Sequence, residues 1–470
     1  MERDSLLGTD FTKGEIMPLL LRFMVPFLLA NLLNSIYNTV DTIIIGQLVG
    51  SAGTLAVSLG GRLLNVCTMI STSLAGGGQV LISQLYGAKK RRDLNTAIGT
   101  LFSLMLLSSV GIAAAAFFSA GPILQWMNTP QEAFAAARSY FRITCVGFPL
   151  MFGYNAVSSV LRGMGDSKSP LLFIAIAAAV NLAGDLVFVI CFGLGAAGTA
   201  YATVIGQGTS LLFSLFLLYR RREKFGFDFR RESMKLDREK GKVILRIGLP
   251  MTLSSCCIQI TQMVLLRYVN LYGVAAATTY AIGTKITQLT NIFSMSVRQA
   301  SGTIVGQNIG AGRQDRVGRI LRCSLLISVS TAAVLSVVSL CFPQAVFRCF
   351  TRDPAVIAHA EAFIRIICAI YFCSAILGPY DSIITGTGNA LLGLLGGILD
   401  GVVFRIGFSF LFAYGLGMGV AGFFLGDGVA RTAPIVIGMI YYHSGHWKRY
   451  HLLETAQEGQ TAERIIGEDS

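Results

Sequence analysis

Apolar runs of twenty or more residues recur along this chain from one end to the other. A helix of about twenty apolar residues crosses the roughly 30 Å of hydrocarbon in a bilayer. In such a medium every backbone N–H and C=O must be satisfied within the protein, so only helices and closed barrels span it. A barrel needs short alternating strands, and these runs do not alternate. The sequence therefore predicts an all-α membrane protein of twelve transmembrane helices. The spans fall at about 16–48, 54–86, 95–118, 134–161, 169–191, 196–219, 244–272, 275–308, 317–342, 356–385, 390–413 and 419–443.

Charge is scarce and sits between the runs. Only 13% of residues are charged against 53% hydrophobic, where a soluble domain carries about 25% charged residues. Lys89, Lys90, Arg91 and Arg92 follow span 2, Arg162 and Lys168 follow span 4, and ten bases between Arg220 and Lys242 follow span 6. Arg313, Arg316 and Arg319 follow span 8. Basic residues mark cytoplasmic loops, so the even-numbered connections and both termini are expected inside the cell. The net charge of +13 is thus a topology signal and not a nucleic-acid footprint. The polar N-terminus has no cleavable signal pattern, so the first run is expected to remain as helix 1. The ten cysteines have no metal-ligand spacing and read as small buried hydrophobes.

The two halves repeat. Gln84-Leu85-Tyr86-Gly87-Ala88 matches Gln307-Asn308-Ile309-Gly310-Ala311, and Leu161-Arg162-Gly163-Met164-Gly165-Asp166 matches Ile384-Thr385-Gly386-Thr387-Gly388-Asn389. Arg142-Ile143 answers Arg365-Ile366, and Pro26 answers Pro250. The offset stays at about 223–224 throughout. Six spans per half is an even number, so both halves start on one side of the membrane. That makes two six-helix lobes related by a pseudo-twofold axis along the membrane normal, a plan typical of transporters. The expected divisions are a cytoplasmic segment 1–15, an N-lobe 16–219, a linker 220–243, a C-lobe 244–443 and a cytoplasmic tail 444–470.

Within this apolar background the acids stand out. Asp41 lies in span 1 with Asn34, Tyr37 and Asn38 on its helical face, at i, i+3, i+4 and i+7 spacing. Asn181 and Asp185 share a face of span 5. An intramembrane carboxylate is costly unless something binds, protonates or solvates it. At the repeat offset Asp41 corresponds to Val264, and Asp185 falls near Gly407 or Phe408, so only the first half keeps the pair. In low dielectric the anion is disfavoured, so such an aspartate can hold a proton at physiological pH. Alternatively the two carboxylates, the Asn181 carbonyl and the Thr203 hydroxyl supply an oxygen shell for Na+. Pro26 kinks span 1 and reads as a hinge.

Other polar groups give weaker readings. Arg62 and Lys285 are repeat mates in spans 2 and 8, read as charge partners for Asp41 or Asp381. Asp400 with Arg405 and Asp427 with Arg431 are spaced to pair along one helix each. Tyr37, Asn34, Asn65, Met69, Tyr154, Tyr280, Gln288 and Met295 suit loose contact with varied organic molecules. There is no phosphate loop, nucleophile elbow or HExxH, so no enzyme is expected. His443 and His446 read as interfacial. Without a nucleotide site, energy must come from an ion gradient, worth about 2.3 kcal/mol per charge per 100 mV.

Taken together, Asn38-Thr39-Val40-Asp41-Thr42 with Gly46, the Gln84 and Leu161 motifs, and Asn181 to Asp185 resemble the MATE (multidrug and toxic compound extrusion) transporters. The likeness runs from about Ile16 to Tyr442, and the branch the chain resembles is the DinF-like one. It implies two lobes around a central cavity and export of an organic substrate against inward H+ or Na+. It also implies an ion site at Asp41, Asn181, Asp185 and Thr203, with bending of the first helix near Pro26. Other branches place an acidic site in the second lobe, at positions that here are near Gln259 and Ser374, neither an acid. The expected protein is a monomeric, multi-pass antiporter of the plasma or inner membrane, exporting amphipathic organic cations by alternating access. It has no cofactor beyond the coupling ion H+ or Na+, no metal other than a possible Na+, and no nucleic-acid partner. The alternative is a flippase or exporter of a lipid-linked or anionic metabolite, with Arg62, Lys285 and Arg298 lining a basic cavity.

Overall fold

The computed structural model describes residues 8–127, 129–220, 227 and 232–449. The side chains at 38, 41–43, 45, 48, 50–52, 275 and 355 lie outside the described residues. All regular structure among the described residues is helical. In chain order the long elements are α1 (Ile16–Leu48), α2 (Gly50–Gly87), α3 (Arg91–Trp126), α4 (Gln131–Val146), α5 (Phe148–Gly163), α6 (Lys168–Asp185) and α7 (Gly195–Arg220). There follow α8 (Arg238–Asn270), α9 (Val274–Gly310), α10 (Val317–Cys341), α11 (Ala360–Thr387), α12 (Ala390–Ile398), α13 (Gly419–Val429) and α14 (Thr432–His443).

Ten of the described helical stretches are long and apolar enough to cross a membrane, and the α4–α5 pair makes eleven. The twelfth expected span is α9, 37 residues long, whose Lys285 and Arg298 lower its hydropathy. Span 4 is broken, with α4 and α5 meeting at 48°. Pro149, one residue inside α5, accounts for the break, because it cannot donate the N–H that would continue α4. Pro434 does the same in the last span, where α13 stops at Val429 and α14 begins at Thr432.

Among the described residues three stretches are π-helical: Leu186–Cys191, which prolongs α6, and Leu399–Phe404 and Leu411–Gly415, which prolong α12 around a short α-helical turn, Arg405–Phe410. Periodicity does not reveal these, since a π turn adds only one residue to a helical turn. They are frequent at functional sites.

The chain divides into two compact units. The first comprises residues 1–10 and 25–248, the second residues 11–24 and 249–470. The division therefore falls inside helices α1 and α8, not in the linker. The two break points, Met24/Val25 and Gly248/Leu249, are one repeat apart, and each lies just before a repeat-mate proline, Pro26 or Pro250.

Within the first unit, the start of α8 packs on α2 by backbone approach. A Cβ on Gly77 would lie 2.5 Å from the Ile244 carbonyl, and one on Gly248 would lie 2.9 Å from Leu74 Cα. Asp237 N donates to Thr100 Oγ1 at 3.1 Å, and Lys240 pairs with Asp93 at 3.2 Å. Within the second unit, residues 11–24 are held in a comparable way. Phe11 N donates to Gln307 Oε1 at 3.1 Å, Asn308 Nδ2 donates to the Phe11 carbonyl at 3.2 Å, and the Arg316 guanidinium donates to the Gly14 carbonyl at 2.7 Å. Phe11 is buried against Phe23 at 4.7 Å between ring centroids. The Gln-Asn pair at 307–308, part of the repeated motif, thus satisfies the backbone of a segment that would otherwise bury unpaired polar groups.

In the second unit the half-buried Tyr268 and Phe410 pack edge-on or stacked on the buried Phe423, the exposed Tyr272 and Tyr414 stand edge-on to Phe423, and Phe424 is buried beside Phe363. Close helix approach in both units relies on glycine, as expected where lipid gives no hydrophobic drive to helix association.

Candidate functional site

The first unit carries a buried oxygen-rich site between α6 and α7. Asn181 is one helical turn before Asp185, so both face α7. Asp185 is fully buried and Asn181 is 3% exposed. Asn181 Nδ2 donates to Thr203 Oγ1 at 3.1 Å, and the Thr203 hydroxyl donates its own proton to the Thr199 carbonyl at 2.9 Å. With its amide nitrogen engaged, Asn181 presents Oδ1 as an acceptor, and no described donor reaches it. The helix changes from α to π immediately after Asp185.

Small residues make this possible. A Cβ on Gly206 would lie 2.8 Å from the Ala177 carbonyl and 3.2 Å from Asn181 Cβ, and a Cβ on Gly184 would lie 2.9 Å from the Ala202 Cβ. Both contacts require α6 and α7 to run nearly backbone to backbone, which brings the short Asn181 and Thr203 side chains within reach. Gly206→Val is expected to wedge the helices apart, to cost about 1–3 kcal/mol of stability, and to lower transport about as much as removal of Asn181. Unfolding in detergent and efflux from proteoliposomes measure the two effects.

Asp41 lies in α1, but its side chain and that of Asn38 are outside the described residues. Of the other expected contacts, Asn34, Asn65 and Gln288 are exposed, as is Met295 at 42%; Tyr37, Met69 and Tyr154 are half-buried. Tyr280 is different. It is 5% exposed and its ring stands edge-on to Phe424 at 5.6 Å, so it belongs to the second unit's core and has no surface to offer a cargo. Arg62 and Lys285 are exposed, and among the described residues neither takes part in an ion pair. The acid suggested for Lys285, Asp381, is held instead by Arg298 at 2.9 Å.

The two ion pairs expected in the second half are one network. Arg405 Nη2 meets Asp400 Oδ1 at 2.9 Å while its Nη1 binds Asp427. Asp400 and Arg405 are five residues apart, a poor spacing on an α-helix. The intervening π turn, with its i→i+5 hydrogen bonds, puts them on one face. Arg431 lies 4.0 Å from Asp427 and donates to Asn291 Oδ1 at 2.9 Å and to Ser374 Oγ. Sequence reasoning missed Asn291 and this link to Ser374. The available signal was the spacing of Asn291, three residues beyond Gln288 on α9.

The sequence profile of the MatE family matches residues 26–187 and 250–411, one match per repeat and each beginning at a repeat-mate proline. The chain belongs to the MatE family. It is similar to "Probable multidrug resistance protein YpnP" of Bacillus subtilis (strain 168), with 28% identity over 443 residues, covering 94% of this chain and 98% of the relative. It is also similar to "Probable multidrug resistance protein NorM" of Thermotoga maritima, with 23% identity over 451 residues, covering 93% and 95%. Among solved structures, that described as "Crystal structure of MATE in the straight conformation" superposes with a TM-score of 0.86 at 20% identity, covering 96% of this chain and 99% of that one. MatE membership makes this chain a multi-pass membrane transporter and not an enzyme. The Arg405 network fills the second unit's interior with balanced charge, two acids against two bases, and Ser374 stands within it bonded to Arg431. The described interior of the second unit therefore offers no uncompensated carboxylate for a cation, and the candidate ion site of this MatE-family chain is the Asn181–Asp185–Thr203 cluster.

Proposed function

We propose that this protein exports amphipathic organic molecules across the plasma or inner membrane, with both termini cytoplasmic, in exchange for inward H+ or Na+ bound in the first unit. One observation carries the reading: a fully buried carboxylate, Asp185, shares a helix face with an amide oxygen that no described donor satisfies. Taking a full charge out of water costs several kcal/mol, and a proton or a cation at the site offsets that cost. The open Asn181 Oδ1 is the acceptor that a protonated carboxyl or Na+ would use. The proline just past the unit boundary in α1 supports a hinge at Pro26, which would let the charge state of α1 act on residues 11–24. The coupling ion enters as a substrate.

Efflux of a preloaded fluorescent compound from proteoliposomes, under separately imposed pH and Na+ gradients, tests the reading. One gradient should drive efflux and the other should not. Efflux that ignores both gradients overturns it.

A further inference from the structure

The offset between the two repeats grows by one residue late in each half. It is 223 from Asp166 to Asn389, and 224 from Gly195-Ala196-Ala197-Gly198 to Gly419-Val420-Ala421-Gly422. The extra residue has a place in the fold. The π stretch Leu399–Phe404 answers a part of α6 that winds as an α-helix, and a π turn takes one residue more than an α turn. The second π stretch, Leu411–Gly415, answers the one that follows α6. Contacts beyond the insertion keep the offset of 224. A Cβ on Gly198 would lie 3.1 Å from the backbone of Phe188, and one on Gly422 would lie 2.5 Å from the backbone of Phe412.

With that offset the two units hold one cluster in two chemistries. Asn181 answers Arg405, Asp185 answers Ser409, and Thr203 answers Asp427. In the first unit the Asn181 side chain donates to that of Thr203 at 3.1 Å, and in the second the Arg405 side chain donates to that of Asp427. Ser409 lies one residue past the mate that an unbroken offset of 223 assigns to Asp185. Its hydroxyl donates to the Phe423 carbonyl at 3.2 Å. Phe423 answers Thr199, whose carbonyl accepts from Thr203. Arg405, Ser409 and Asp427 are all buried, as are Asn181 and Asp185.

The clusters differ by a fixed positive charge. In the first, the open Oδ1 of Asn181 and the buried Asp185 carboxyl call for a proton or cation from outside the chain. In the second, Asp427 and Asp400, the latter within the inserted turn, bring two carboxylates, and the Arg405 fork binds both. Two carboxylates sharing a buried site disfavour each other's ionisation unless a cation stands with them. Here the chain supplies that cation. Stability alone does not account for the choice, because apolar residues of similar volume often serve as well as a buried ion pair.

We propose that the Arg405 guanidinium is a tethered cation filling the second unit's counterpart of the ion cluster, so that the coupling ion exchanges in the first unit alone. The proposal rests on the ion-exchange reading of the Asn181–Asp185–Thr203 cluster. It adds a cation site in the second unit that takes a guanidinium group and is closed to solution ions by the side chain that occupies it.

The test empties the site and refills it. Arg405→Ala leaves Asp400 and Asp427 in place and lacks the atoms of ethylguanidinium. Added ethylguanidinium should raise the melting temperature of purified Arg405→Ala saturably, by about 2–4 °C. It should also release H+ or Na+, the ion that neutralised the stranded acids, to a pH indicator or a Na+-sensitive dye. The neutral isostere N-ethylurea should do neither, and the parent should respond to neither compound. Adding Asp427→Asn to Arg405→Ala should abolish or sharply weaken the response. Equal stabilisation by ethylurea, or stabilisation without ion release, means that the place is a volume to fill and overturns the proposal. A second measurement needs no Arg405 variant. Cargo added to the parent should release one ion per protein, and cargo added to Asp185→Asn should release none. Residual release from Asp185→Asn would mean that a second site exchanges ions and would overturn the closed state of the second unit. A parent that releases no ion while Arg405→Ala still exchanges H+ or Na+ for ethylguanidinium would sink the ion-exchange reading of the first unit and leave the tethered cation standing.

Discussion

Asp185→Asn is expected to stop ion-driven efflux while leaving the protein folded. The substitution keeps shape and hydrogen-bonding capacity but removes the charge that a proton or Na+ neutralises. A cargo gradient alone should still exchange labelled for unlabelled cargo at close to the parent rate, because exchange requires both conformations but no ion. Uphill efflux should fall at least about tenfold, since loss of the ion removes the differential affinity that biases the two states. Asn181→Ala should give an intermediate loss, because it deletes the open acceptor but not the carboxylate. Parallel measurement of exchange and uphill efflux separates loss of coupling from loss of folding, and full uphill efflux by Asp185→Asn would rule this site out.

Arg405→Ala is expected to destabilise the protein by about 3–5 kcal/mol, the usual effect of removing one partner from a buried ion pair. Here two carboxylates, Asp400 at 5% exposure and Asp427 at 7%, lose their shared base, and only Arg431, 4.0 Å from Asp427, remains nearby. Arg405→Lys should recover part of the loss, since an ammonium is a point charge and cannot fork to two acids. Replacing Asp400 and Asp427 by Asn together with Arg405→Met should be tolerated far better than Arg405→Ala alone, because no ion is left stranded. Thermal unfolding in detergent or nanodiscs reads all of these. An unchanged melting temperature for Arg405→Ala would mean that the network does not hold the second unit together.

Much of this molecule was legible in its residues, for identifiable reasons. Membrane spans are set by hydrophobic length, a local property, and α1 at Ile16–Leu48 coincides with the expected run. The repeat is a comparison of the chain with itself and needs no structure. The Asn181–Asp185 face follows from helical spacing; Thr203 was a candidate as a hydroxyl on span 6, but its closeness to Asn181 depends on packing between α6 and α7 at Gly184 and Gly206. What could not be read are features decided by contacts distant in sequence or by one-residue changes in helix winding. The π turn that lets Arg405 reach Asp400 leaves no trace in hydropathy. The grouping of residues 11–24 with the second half depends on Gln307, Asn308 and Arg316, about 300 residues away. The burial of Tyr280 likewise depends on Phe424, which periodicity along α9 cannot reveal.

The central claim is that the coupling ion and the cargo compete through one protein. If so, each must lower the affinity of the other by the same factor. Proton release, followed with a pH indicator in weakly buffered solution, and Na+ release, followed with a Na+-sensitive dye, are measured on adding cargo to the purified protein. The account predicts release of one of these ions on cargo binding by the parent and none by Asp185→Asn. Cargo that binds the parent tightly without displacing either ion would contradict it.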